Sequence, residues 1–194
     1  MKSKKPGRNK TSADGLIQLE PYDRETNELN VIAETPQGSR NKFKYDERHR
    51  CFKLGGVLPV GSSFPYDFGF IPSTLGGDGD PLDALILMDE PAFPGCIIVC
   101  RAIGVIEAEQ AQEGKTERND RLIVVANTSR VHQNLRALAD LESHLLDEIE
   151  HFFISYNEVK GKKFEPLKRS GPKRAKEIIE EGVRRYENQA SGED

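Results

Sequence analysis

Three carboxylates fall within six residues in Asp78-Gly79-Asp80-Pro81-Leu82-Asp83. Like charges this close repel, so at least one carboxyl resists ionisation unless a cation offsets it. Hard oxygen donors of this kind suit Mg²⁺, or equally Mn²⁺. On an extended segment Asp78 and Asp80 point to one side, while Pro81 keeps Asp80 extended before the chain turns to bring in Asp83. A plainer reading makes the same residues turn formers ahead of a strand near Ala84. A calcium loop of the helix–loop–helix type is excluded, because it needs Gly at its sixth position and Glu at its twelfth, where this sequence has Asp83 and Asp89.

The elements that must position this cluster are legible in the periodicity. From about residue 29 to residue 126 the apolar runs are short, β-branched or aromatic, and broken by Gly, Pro and Asn. Strands are expected over 30–34, 41–46, 51–54, 84–88, 97–107 and 122–126. Beyond residue 127 the period lengthens. Thr128 or Ser129 caps an expected helix carrying Val131, Leu135 and Leu138. A second helix puts Leu145, Ile149, Phe152 and Tyr156 on one face, and a third starts at Pro172 and runs through Ile178, Ile179, Val183 and Tyr186. Strands first and helices afterwards predict an α+β fold, a curved sheet or barrel flanked by C-terminal helices.

The chain as a whole narrows the function classes. Its 194 residues suit one domain over 16–190, preceded by a mobile basic tail over 1–15. A net charge of −4 gives no overall attraction for nucleic acid. Cys51, Cys96 and Cys100 have no zinc-ligand spacing and fit a reducing, cytoplasmic compartment. No run of about 18 apolar residues is present, which excludes a membrane-spanning helix.

Asp78-Gly79-Asp80-Pro81-Leu82-Asp83-Ala84 resembles the D-x-D-P-x-D signature of the family I soluble inorganic pyrophosphatases. The likeness extends upstream through Phe64-Pro65-Tyr66-Asp67-Phe68-Gly69-Phe70-Ile71-Pro72, and at the front through Glu34-Thr35-Pro36 and Lys42-Phe43-Lys44-Tyr45. Behind the acids it continues in His151-Phe152-Phe153, Tyr156 and Gly161-Lys162. The resemblance implies a five-stranded OB-like β-barrel with flanking helices, and hydrolysis of pyrophosphate to two phosphates with Mg²⁺. It implies metal sites at Asp78, Asp80 and Asp83, with Asp80 as the base that helps deprotonate water and Glu34 as an outer metal-water ligand. Lys42, Arg121, Tyr156 and Lys162 are implied to bind phosphate, and a homo-oligomer, commonly a hexamer, is implied for the assembly. Each cation alone reads as a solvated surface charge; their joint order with the acids changes that reading.

The departures from the family pattern are equally specific. The usual Arg aligns with Gly56, two tyrosines are Phe64 and Phe68, a glutamate is Lys44, and the lysine after Tyr156 is Asn157. Two later metal-binding aspartates align nearest to Gln112 and Asn119, with Asp120 one residue away as a substitute ligand and Glu109 or Glu113 for the other acid. Lys44, Arg40 and Arg118 are the candidates to replace the missing Arg. Two other readings stay open: a phosphohydrolase acting on another small phosphorylated substrate, and a catalytically weak or non-enzymatic OB-type binding protein. A groove made acidic by Asp67, Asp78, Asp80 and Asp83 disfavours nucleic acid as the ligand of the last.

Overall fold

Valine, isoleucine and leucine occupy successive positions in the strands around the acidic loop, so those strands must be covered on both faces. The computed structural model, which describes residues 15–192, shows how. The strands are β1 (Leu29–Thr35), β2 (Asn41–Asp46), β3 (Cys51–Val57), β4 (Asp67–Phe70), β5 (Asp83–Leu87), β6 (Ile97–Gln112), β7 (Lys115–Arg118), β8 (Arg121–Ala126) and β9 (Lys163–Ser170). The helices are α1 (Ser143–Glu158) and α2 (Pro172–Ser191). Neighbours pair in the order β1-β4-β5-β8-β6, and β6 pairs back to β1, closing a ring of five strands. This is the expected OB-like architecture, with β7 and β9 added along β6 and the β2–β3 hairpin forming a separate sheet.

Alternate residues of the ring strands serve two packed clusters. Ala84, Ile86, Leu122 and Val124 pack with Ala175, Ile178 and Ile179 of α2. Leu85, Leu87, Ile123 and Val125 pack with Leu146, Ile149 and Phe153 of α1 and with Phe64 and Phe68. The period of two along each strand thus assigns one helix to each alternation. The apolar stripe of α1 is shifted by one position from that expected: Leu146, Ile149 and Phe153 are buried, and Phe152 and Tyr156 lie to one side against Phe64.

The structure departs from the sequence expectations elsewhere too: the short strands β4 and β7 lie outside the expected set, and three further places differ. Residues 128–138 form no α-helix. The Asp89 carboxylate instead accepts bonds from the Ser129 hydroxyl at 2.6 Å and the backbone N–H groups of Arg130 and Val131 at 2.9 and 3.1 Å, while Arg101 donates to the carbonyls of His132, Gln133 and Leu135. Side chains that take these backbone groups compete directly with a helical ladder. The strand β9 was not expected because it is charged and contains Pro166, which the sheet accommodates at a register shift opposite Ala108. The acidic loop is a turn and not an extended segment: Gly79 has φ +84, and Gly76 N–H donates to the Asp80 carbonyl at 2.8 Å. The expected basic tail lies outside the described residues apart from Gly15. Among the described residues no helix is long and apolar enough to cross a membrane, and all three cysteines are free.

Closure of the ring depends on close backbone approach where β1 meets β4. A Cβ added at Gly69 would stand 2.0 Å from the Ile32 carbonyl oxygen and 3.1 Å from the Cα of Ala33. Only backbone movement relieves such a clash. Gly69→Ala is therefore expected to cost about 3 kcal/mol or more, at the upper end of overpacking effects. The check is a lowered urea midpoint with an unchanged denaturant slope; a parent-like midpoint would show that the β1–β4 contact yields freely.

Candidate active site

Backbone irregularities and one parallel strand pair assemble the site. Ala33 pairs with Gly69 and Thr35 with Phe68, which leaves Glu34 as the extra residue of a β-bulge. A bulge re-aims its side chain, and here Glu34 lines the same cleft as the acidic loop. On the hairpin, Lys42 pairs with Gly56 and Phe43 with Leu54, with Gly55 as the extra residue. Between the parallel strands β5 and β8, Ala84 is in register with Leu122, so the residues just before them, Asp83 and Arg121, emerge side by side. Their ion pair is 2.7 Å long.

The resulting cleft has a volume of about 290 Å³. Asp78, Asp80, Asp83 and Glu34 meet Lys42, Lys44, Lys160, Lys162 and Arg121 in it, together with Tyr156. Lys42 is only 4% exposed, and its ammonium donates to Glu34 at 3.2 Å. Burial drives the Lys42 ammonium towards the neutral form, and the Glu34 carboxylate opposes that shift. Glu34 also accepts the Tyr45 N–H at 2.8 Å. Phe68 lies 3.9 Å from the Lys42 ammonium, and Phe153 lies 4.9 Å from the Arg121 guanidinium. The two phenylalanines that stand in place of tyrosines therefore line the cleft with π faces where the family pattern has hydroxyl groups.

Arg121 donates to the carbonyls of Asn119 and Asp120 and to the Asn119 side-chain oxygen. Its Nε is buried with no acceptor among the described residues, an open donor in a site built from charge. Tyr156 accepts a hydrogen bond from Lys160, and burial together with the Asp83 charge pushes its phenol up to about 12. The Lys160 ammonium is pushed down to about 8 by burial and by Lys42, Lys44 and Lys162.

Not every residue marked in the sequence reaches the cleft. Asp120 is absent from its lining: the carboxylate takes Arg118 at 2.8 Å and the Ala108 N–H at 2.9 Å, beside a second, smaller cleft. Asn119 does line the main cleft and donates to Gln110 at 3.3 Å; Gln110, not Gln112, is the amide from β6 that lines it. Asp67 is buried and holds the Gln37 and Ala92 N–H groups, so it contributes no acidity to the groove. Lys160 was missed because nothing in its immediate sequence distinguishes it from the other lysines near the end of α1.

The donor set suits a hard divalent cation. Burial, then repulsion from Asp83 and Asp80, raises the Asp78 carboxyl to about 6. Among the described residues no three Asp, Glu, His or Cys side chains already stand close enough to enclose a metal. This is compatible with Mg²⁺, which keeps several waters and takes only a few carboxylates.

Comparison with known proteins identifies the family. The family model described as "Inorganic pyrophosphatase" matches residues 31–187. The chain belongs to the inorganic pyrophosphatase family. An inorganic pyrophosphatase of Synechocystis is 39% identical over 158 residues, covering 81% of this chain and 91% of that protein. One from Streptomyces coelicolor is 38% identical over 163 residues, covering 84% and 98%. The crystal structure of inorganic pyrophosphatase from Thermus thermophilus superposes with a TM-score of 0.81 at 32% identity, covering 89% of this chain and 99% of that one. The family is metal-dependent in general, which agrees with the donors at the rim.

In metal-free protein the Asp78 carboxyl is expected to titrate near 6, and added Mg²⁺ should draw it back towards the ordinary carboxylate range. Because the folded value lies above the unfolded one, its contribution to stability is full below about 4 and is lost as pH rises through 6. Carbon NMR of the Asp78 side chain checks this. A midpoint near 4 without metal would show that neither burial nor the neighbouring carboxylates act on Asp78.

Proposed function

We propose that this chain hydrolyses inorganic pyrophosphate to two phosphates with Mg²⁺, or Mn²⁺, held at Asp78, Asp80 and Asp83. The observation that carries this reading is one cleft lined by interleaved carboxylates and cations, in which the buried Arg121 Nε has no acceptor among the described residues. Such a metal lowers the pKa of bound water and offsets charge on phosphoryl oxygens. Asp80 is the most exposed of the three aspartates, with its side chain 72% exposed against 26% for Asp83. It accepts the proton of the attacking water. Glu34 opposes the loss of charge from the buried Lys42 and lines the cleft as an outer ligand for metal-bound water. Lys42, Arg121, Tyr156 and Lys162 donate to the phosphate oxygens and stabilise the leaving group. Cytoplasmic residence fits the free cysteines. A homo-oligomer, for which a hexamer is the family's common form, fits the exposure of Phe93 and Ile97, at 70% and 50%.

Phosphate release from pyrophosphate with Mg²⁺ is the direct test, and full activity in excess chelator would refute the metal dependence. Asp80→Asn should lower kcat roughly 100-fold or more, the scale of a positioned acid–base group. A rate close to the parent's would make Asp80 structural.

The metal set can be examined separately through the neighbouring pair Asn119 and Asp120. Asn119 lines the cleft and Asp120 is engaged by Arg118, so Asn119→Asp should lower the Mg²⁺ concentration giving half activity. Asp120→Asn should leave that concentration nearly unchanged. The opposite pattern in a metal titration would make Asp120 a ligand.

A further inference from the structure

Two places where the family pattern has a cation have none here, Gly56 and Asn157. Gly56 has no side chain. Asn157 is 3% exposed and donates to the Phe153 carbonyl at 2.8 Å, which commits it to the body of α1. A pyrophosphate bearing several negative charges still has to be held, so its counter-charges must come from elsewhere. Arg40 is engaged, donating to the Leu58 carbonyl at 3.3 and 3.0 Å. Arg118 is paired to Glu107 at 3.0 Å and Asp120 at 2.8 Å and does not line the main cleft.

Two lysines remain. Lys44, on β2, lays its stem against Gly55 of β3: its Cγ stands 3.2 Å from where a Gly55 Cβ would be. Its ammonium is 3.9 Å from Asp80, a loose pair with a half-exposed lysine that can turn towards an arriving anion. Lys160 follows α1, one turn beyond Tyr156, with its ammonium 4.0 Å from the centre of the Tyr156 ring and donating to the phenol oxygen. The charges that act on it are those of Lys42, Lys44 and Lys162, all cations. No carboxylate lies within ion-pair distance of it among the described residues. An exposed ammonium that lines the cleft beside other lysines, with a phenol as its partner and no carboxylate paired to it, keeps donors free for an arriving anion.

We infer that Lys44 and Lys160 grip the phosphoryl oxygens of the substrate, supplying from β2 and from the turn after α1 the two cations missing at positions 56 and 157. The inference rests on the pyrophosphate reading of the cleft. Its chemistry differs from that of the family pattern, because Lys44 offers a mobile point charge in place of the planar fork of an arginine.

The test is calorimetric binding of imidodiphosphate at saturating Mg²⁺, together with KM and kcat for pyrophosphate. Lys44→Gln and Lys160→Gln should each weaken binding and raise KM roughly tenfold or more, as loss of a charge-assisted hydrogen bond requires, with kcat little changed. Lys160→Arg should retain most of the affinity. Gly56→Arg should restore it to Lys44→Gln, since a Cβ at Gly56 meets nothing within 4 Å. Lys176→Gln, on the exposed face of α2, should match the parent. If the parent binds imidodiphosphate and both glutamine variants bind it equally well, the inference fails while the pyrophosphate reading stands. Loss of kcat without loss of affinity, unrelieved by arginine, would also overturn it. A parent that neither binds imidodiphosphate nor releases phosphate would defeat the underlying reading and the inference with it.

Discussion

Asp83 and Arg121 begin adjacent strands that run in the same direction, and everything in the cleft is arranged around the ion pair this register creates. The parallel pairing of β5 with β8 lies inside a closed ring whose strands are buried on both faces, so its register cannot slip without turning apolar side chains away from α1 and α2. Packing therefore fixes where two opposite charges emerge. The acidic loop ends at Asp83 and the segment from Asn119 ends at Arg121. Both loops are consequently held to one rim, and Glu34 joins them through the bulge in the neighbouring part of the ring.

The cationic side obeys a different constraint. Lys42 is almost fully buried, which is costly for an ammonium unless it is paired, and Glu34 and the faces of Phe64 and Phe68 provide its surroundings. Arg121 is treated in the same way by Asp83, Phe153 and Phe164. Aromatic rings that lack hydroxyl groups thus carry part of the electrostatic work. They restrain the two cations without consuming all their donors, which leaves hydrogen-bonding capacity for an anionic ligand.

Local chemistry was legible where a few residues specify it. The triplet Asp78, Asp80 and Asp83, the strands with β-branched runs, and α2 with Pro172 at its first turn are all visible in the one-dimensional pattern. What was hidden depends on partners distant in sequence. The segment 128–138 has helical spacing but loses its backbone donors to Asp89, some forty residues away. The strand β9 is polar and contains proline, and only its pairing with the sixteen-residue β6 reveals it. Whether Asn119 or Asp120 lines the cleft alternates with strand parity, and the starting phase is set by the Asp120 bond to the Ala108 N–H across the sheet.

The exchange of acids for amides and of a glutamate for Lys44 can be read as one redistribution of charge. Asn119 and Gln110 bring amides to the cleft beside Glu117, and Arg121 is tied to the Asn119 side-chain oxygen where an acid is expected. With Lys44 where a glutamate is expected, a carboxylate of the family pattern becomes an ammonium facing Asp80. Both changes move positive charge from exchangeable ions to side chains fixed on the fold. Fixed cations attract phosphate in the absence of metal and cost no dehydration of an ion on binding. The carboxylates of Asp83 and Asp80 are already paired with Arg121 and Lys44. A divalent cation held at these carboxylates, as proposed, would supply the counter-charge in their place and would leave both side chains with donors for phosphoryl oxygens.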